Sequence, residues 1–153
     1  MIKEGQKAPE FSLPSSEGGE VSLKSLKGKP VVLYFYPKDD TPGCTREACA
    51  FRDAKAAMRK TGAVVLGVSP DSLAAHDKFT AKYKLNFPLL SDPDKAVAKK
   101  YGAFGEKLLY GKKVVGMIRS TFVIDAAGVV RKVFPRVKVD GHDAKVLAAL
   151  QEL

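Results

Sequence analysis

Residues 31 to 49 read VVLYFYPKDDTPGCTREAC, and the change of character inside that stretch decides the fold. Val31 to Tyr36 form a short, continuous apolar run of β-branched and aromatic residues, the pattern of a strand covered on both faces. Pro37 to Gly43 are charged, hydroxyl, proline and glycine residues that favour a turn. From Thr45 to Lys60 the chain is rich in Ala, Arg, Lys and Met, and Thr61-Gly62 supplies a helix stop. A second apolar run, Ala63 to Val68, follows. Strand, helix and strand at this spacing predict a βαβ unit.

Outward from that unit, Asp71-Ser72 is a cap for a helix running to about Tyr83. Asp92-Pro93 supplies a cap and a first-position proline for another helix to about Tyr101. Ser120 to Ile124 and Val129 to Phe134 flank Asp125-Ala126-Ala127-Gly128, which predicts a hairpin of antiparallel strands. After Asp140 the chain turns Ala- and Leu-rich, with Val146, Leu147 and Leu150 at helical spacing, so a C-terminal helix is expected on the sheet. Gly18-Gly19, between short apolar stretches, predicts a peripheral hairpin. The resulting order, β, α, β, α, α, β, β, α, is that of an α/β fold: a thioredoxin-like sandwich with a central mixed β-sheet flanked by helices, carrying one inserted helix. No internal repeat breaks the pattern, and residues 1–153 are expected to form one domain.

Composition narrows the class of function. A hydrophobic content of 45% spread over the whole chain is that of a packed protein, not a disordered one. The formal charge of +9 comes from dispersed Lys and Arg, with only short clusters such as Lys99-Lys100 and Lys112-Lys113. Aromatic interleaving and zinc-finger spacing are both missing, so the surface is read as solvated and no specific nucleic-acid partner is expected. No apolar run approaches the roughly 20 residues of a membrane span, and the first residues carry Glu and Pro in place of a signal core. A soluble, cytoplasmic protein with no membrane partner is the expectation. His76 and His142 are far apart and match no metal-ligand spacing; both are read as surface residues, and neither metal nor cofactor is expected.

Two cysteines are too few for a disulfide scaffold, which turns attention to reactivity. With Thr41 as N-cap, Pro42 falls at the first helical position and Cys44 at the third, among amides that lack intrahelical acceptors. Those amides and the helix dipole favour an anion. Cysteines so placed ionise from about 8.5 down toward about 3.5–7.5, depending on nearby cations, so Cys44 is expected to be reactive near neutral pH. A small residue packed at a tight helix start is the alternative.

Pro37, Thr41 and Cys44 also reproduce the Pro-x-x-x-Thr-x-x-Cys signature of peroxiredoxins. The run YFYPKDDTPGCTREAC, the segments around Glu106 and Tyr110, and Arg119-Ser-Thr-Phe resemble the bacterioferritin-comigratory or PrxQ branch of that family, and the resemblance covers nearly the whole chain. It implies that Cys44 attacks a small hydroperoxide and becomes a sulfenic acid. Thr41 would direct its hydroxyl to the thiolate or peroxide, and Arg119 would supply a fixed positive charge. Glu47 would orient Arg119 through a bidentate pair or serve only the helix dipole, while Pro37 would shape the pocket and shield Cys44 or simply end the strand.

The resemblance further makes Cys49 the resolving cysteine, with thioredoxin or a similar dithiol as reductant and a monomer as the working form. In an intact helix, five residues rise about 7.5 Å and rotate about 140°, leaving the α-carbons roughly 8–9 Å apart. A disulfide tolerates about 7 Å at most, so the helix is expected to unwind locally when the bond forms. Two other functions compete: a thioredoxin-like disulfide oxidoreductase, against which the missing Cys-x-x-Cys argues, and a non-enzymatic redox sensor.

Overall fold

The computed structural model describes every residue from Met1 to Leu153. Five strands form the central sheet in the order β5-β4-β3-β8-β9. They are β3 (Val31–Phe35), β4 (Val64–Ser69), β5 (Leu89–Ser91), β8 (Ser120–Ile124) and β9 (Val130–Phe134). β3 runs parallel to β4 and β4 to β5, whereas β8 is antiparallel to both β3 and β9. The sheet is therefore mixed. Helices α1 (Pro42–Lys60), α2 (Leu73–Tyr83), α3 (Ala96–Tyr101) and α4 (His142–Gln151) flank it.

All residues of β3 are buried, as its uninterrupted apolar run requires. Alternation then divides the core. Val31, Leu33 and Phe35 pack with Val97, Ala98 and Tyr101 of α3, while Val32, Tyr34 and Tyr36 pack with Phe51 and Met58 of α1 and Val146 and Leu150 of α4. Helix α1 begins at Pro42 and ends before Thr61, where the left-handed Gly62 closes it. Ser72 caps α2 by accepting from the Ala75 amide at 3.2 Å. The N-terminal hairpin is present as β1 (Ser12–Pro14) and β2 (Glu20–Ser22).

Several expectations need correction. Strand β5 was not foreseen, because three residues give no readable periodicity. Nor was the hairpin of β6 (Phe104–Leu109) and β7 (Lys112–Met117), whose residues are largely exposed and mixed in polarity. Its tight turn uses Tyr110 and Gly111 at φ 51° and 78°, two positive values that suit the twist of a hairpin. Helix α3 starts later than Pro93, after the left-handed Lys95. Asp92 still caps it, accepting from the Val97 and Ala98 amides at 3.3 and 2.9 Å.

His76 and His142 are not surface residues; they are 0% and 4% exposed. Each finds a polar partner from a distant segment, Asp39 for His76 and Thr121 for His142, which offsets the cost of removing an imidazole from water. No helix is long and apolar enough to cross a membrane.

Candidate active site

Cys44 stands at the third position of α1, with 2% of its surface exposed, packed with Ala48 and Phe51 on the face of the sheet that carries Tyr34 and Tyr36. Thr41 has the extended backbone of an N-cap, and its carbonyl accepts from the Thr45 amide at 2.8 Å. Its side chain does not cap. The Thr41 hydroxyl donates instead to the Lys38 carbonyl at 2.8 Å, which closes the turn on itself and leaves the oxygen lone pairs unused. The sulfur of Cys44 is thus not bonded to Thr41 in the free protein.

Its partner is Arg119. Ser120 pairs with Phe35 across β8 and β3, so Arg119, one residue earlier, lies beside the end of β3 from which the Cys44 turn departs. The Arg119 carbonyl accepts from the Val137 amide at 2.9 Å and holds the backbone there. Arg119 Nη2 donates to Cys44 Sγ at 3.2 Å, and Nη1 donates to Glu47 Oε1 at 2.7 Å.

The fork therefore spans two acceptors, and the bidentate pair expected with Glu47 is replaced by a single bond. Glu47 lies three residues after Cys44, on the same face of the helix. It is 1% exposed and its Oε2 has no hydrogen-bond partner. Burial pushes its carboxyl up to about 7, against the pull of Arg119. For Arg119, burial works against the charge, but Glu47 and Cys44 outweigh it and raise its pKa.

Pro37 and Arg119 border a cleft of about 610 Å³ whose other walls include Met117, Ile118, Leu108 and Lys107. Lys107 donates to the Met117 carbonyl at 2.6 Å, and burial together with Arg119 lowers its pKa. Cys49, partly exposed, lies farther along the same unbroken α1, and both cysteines are free thiols.

A model of the AhpC/TSA family matches residues 4–133. A protein of Coxiella burnetii named putative peroxiredoxin bcp is 56% identical over 149 residues, which cover 97% of this chain and 99% of that one. The chain is a peroxiredoxin of the AhpC/TSA family.

This peroxiredoxin is also 45% identical to peroxiredoxin Bcp of Bacillus subtilis, over 99% of the chain and 97% of the relative. Among solved structures, peroxiredoxin Q of Xanthomonas campestris superposes with a TM-score of 0.88 at 44% identity, covering 93% of this chain and 90% of that one. A PrxQ mutant of Xylella fastidiosa gives a TM-score of 0.92 at 35% identity, covering 99% and 97%. The fold is thus the thioredoxin-like one, and the chain's relatives support thiol peroxidase activity, on the Bcp/PrxQ branch.

The peroxiredoxin brings Cys44, Arg119 and Glu47 into one bonded group and places Pro37 with Arg119 on the rim of the cleft. Thr41, three residues before Cys44, does not bond the sulfur, and Cys49 has no bond to the group. The sequence pointed to no site role for Gly43, whose missing side chain leaves room for Arg119, or for Lys107 on the cleft wall. Only the bare Gly before Cys44 offered a signal, since the approach of Lys107 depends on an exposed hairpin that leaves little trace in the sequence.

Proposed function

We propose that the chain, acting as one domain of residues 1–153, reduces hydroperoxides through Cys44 and forms a disulfide between Cys44 and Cys49. The observation that supports this reading is the single guanidinium bridging Glu47 and Cys44, because it holds positive charge where a thiolate and a departing oxygen would need it. The Cys44 thiolate attacks one peroxide oxygen, the sulfur–oxygen bond forms as the oxygen–oxygen bond breaks, and the alkoxide or hydroxide leaves and takes up a proton. Arg119 and the amides of the first helical turn lower the cost of that leaving charge. In this reading the unused lone pairs of Thr41 accept from the protonated oxygen of the hydroperoxide, and Pro37 keeps water from the sulfur.

Cys49 then attacks the sulfenic acid, a sulfur–sulfur bond forms and water departs. On an intact α1 the two residues are too far apart, so the first turns unwind during this step. A dithiol reductant of the thioredoxin class returns both thiols. The working form is a monomer in the cytoplasm, with small hydroperoxides as substrates.

A thioredoxin-coupled peroxidase assay of the wild type, Cys44→Ser and Cys49→Ser tests the reading. The first variant has no activity. The second forms a sulfenic acid that thioredoxin does not recycle. Sustained turnover by Cys44→Ser would overturn the assignment, and full turnover by Cys49→Ser would remove the disulfide step.

A further inference from the structure

His76 has no place in the chemistry described, yet it is fully buried and both ring nitrogens are bonded. Nδ1 lies 2.6 Å from Asp39 Oδ2, and Nε2 lies 3.0 Å from the Leu90 carbonyl oxygen. A carbonyl only accepts, so Nε2 carries a hydrogen and donates it. A second hydrogen must sit between Nδ1 and Oδ2, on the nitrogen or on the oxygen. Both nitrogens of the imidazole are in this way satisfied, one by the carboxyl and one by the backbone.

Asp39 is the centre of a wider arrangement. Its Oδ1 accepts from the Tyr36 hydroxyl at 2.6 Å, and its amide donates to Asp71 Oδ2 at 2.8 Å. Asp71 Oδ2 also accepts from the Ser69 hydroxyl at 2.7 Å, and the Asp71 carbonyl accepts from Ser91 at 2.6 Å. One residue of the Pro37–Thr41 turn is thereby tied to the ends of β3, β4 and β5 and to α2.

The rest of the turn is also fixed by side chains, among them the Thr41 hydroxyl that donates to the Lys38 carbonyl. No backbone-to-backbone hydrogen bond involves residues 37 to 40. Asp40 adopts the left-handed region, at φ 57°, a conformation that persists only where surrounding contacts impose it. Its carboxylate is held by Lys82 and Tyr83 at 2.7 and 2.8 Å, both from α2. Side chains, not backbone ladders, set where Pro37 to Asp40 stand relative to Cys44, while Thr41 is held as well by its carbonyl, which accepts from the Thr45 amide.

We propose that His76 is a positioning residue for the peroxide reaction, acting through Asp39 to hold the Pro37–Thr41 turn against Cys44. The proposal rests on the reading of Cys44 as the peroxide-attacking residue. It separates His76 from a plain packing role, because the turn matters when Cys44 meets peroxide and not when Cys49 meets the sulfenic acid on an unwound helix.

Rapid mixing of the reduced protein with hydrogen peroxide gives the second-order rate of Cys44 oxidation and the first-order rate of disulfide formation in the same trace. His76→Ala slows the first by about tenfold or more and does not slow the second, since a misplacement of about 1 Å is felt at the reacting atoms. Asp39→Ala behaves likewise. Asp39→Asn restores the first rate to within about threefold of wild type, because its amide donates to Nδ1 of a neutral ring while Tyr36 still donates to its oxygen.

Wild-type oxidation kinetics in folded His76→Ala, a matching fall in both steps, or equal losses in Asp39→Asn and Asp39→Ala would each overturn the proposal. If His76→Ala does not fold, the Asp39 pair decides. Failure of the underlying reading is seen separately, in the wild type, as a Cys44 thiol that survives peroxide; it overturns both.

Discussion

Gly43 leaves the space that Arg119 fills: a β-carbon on Gly43 would lie 3.2 Å from Arg119 Nη2. That nitrogen is the one bonded to Cys44, so the glycine is a condition of the contact between guanidinium and sulfur. Its backbone conformation does not demand glycine, and only the close approach does.

Gly43→Ala is therefore expected to separate stability from reactivity. Alanine favours a helix over glycine by about 0.5–1 kcal/mol, so the melting temperature stays level or rises. The displaced guanidinium lowers the second-order rate with hydrogen peroxide by roughly three- to tenfold. An unchanged rate in peroxide kinetics would show that Arg119 yields freely.

Arg119→Lys is the sharper test of the bridge. An ammonium is a point charge and cannot reach Glu47 and Cys44 together as the fork does. Peroxide reduction is expected to fall by about 10²-fold, the usual scale for losing one donor to a developing charge. A loss below about threefold in steady-state assays would place the bridge outside the reaction.

Glu47 gives the stability a pH dependence of known sign. Its folded value of about 7 lies above the ordinary value of 4.5, so between those values the folded state holds more proton than the unfolded one. Stability contributed by the neutral carboxyl is present below about 4.5 and is lost as pH rises through 7. Glu47→Gln is expected to gain roughly 1–3 kcal/mol on the wild type across that window, and denaturant titrations at several pH values measure the difference. A flat difference would mean that Arg119 keeps Glu47 ionised throughout.

His142 acts in the opposite sense. Burial against Phe51 and Phe134, chiefly, lowers its value from 6.5 to about 4. Here the unfolded state takes up the proton first, so stability is full above about 6.5 and declines as pH falls to about 4. His142→Gln removes up to roughly 3 kcal/mol of that decline, read from the same titrations. Parallel curves for variant and wild type would rule it out.

The elements legible in the sequence are those whose pattern is strong and local. Val31 to Tyr36 announce a buried strand, Pro42 and Thr61-Gly62 bound α1, and Asp125 to Gly128 mark the β8–β9 hairpin. The candidate-site residues Cys44, Arg119 and Glu47 stand out because the helix start and the family signature point at them. What the sequence hides is pairing across long separations. Nothing near His76 announces Asp39, and nothing near His142 announces Thr121, so each imidazole looks like any polar residue on a helix. Whether the fork of Arg119 grips one carboxylate or divides between two partners is likewise set by the approach of β8 to α1, which no spacing rule encodes.

In the proposed cycle, the unbroken α1 that carries both sulfurs sets a race. Once Cys44 is a sulfenic acid, fraying of the helix competes with a second oxidant molecule, and each second encounter yields a sulfinic acid that the dithiol cycle does not repair. A firmer helix start would protect the resting enzyme and shorten its working life under heavy oxidant load; a looser one would do the reverse. Under that cycle, durability is written into the melting of two helical turns.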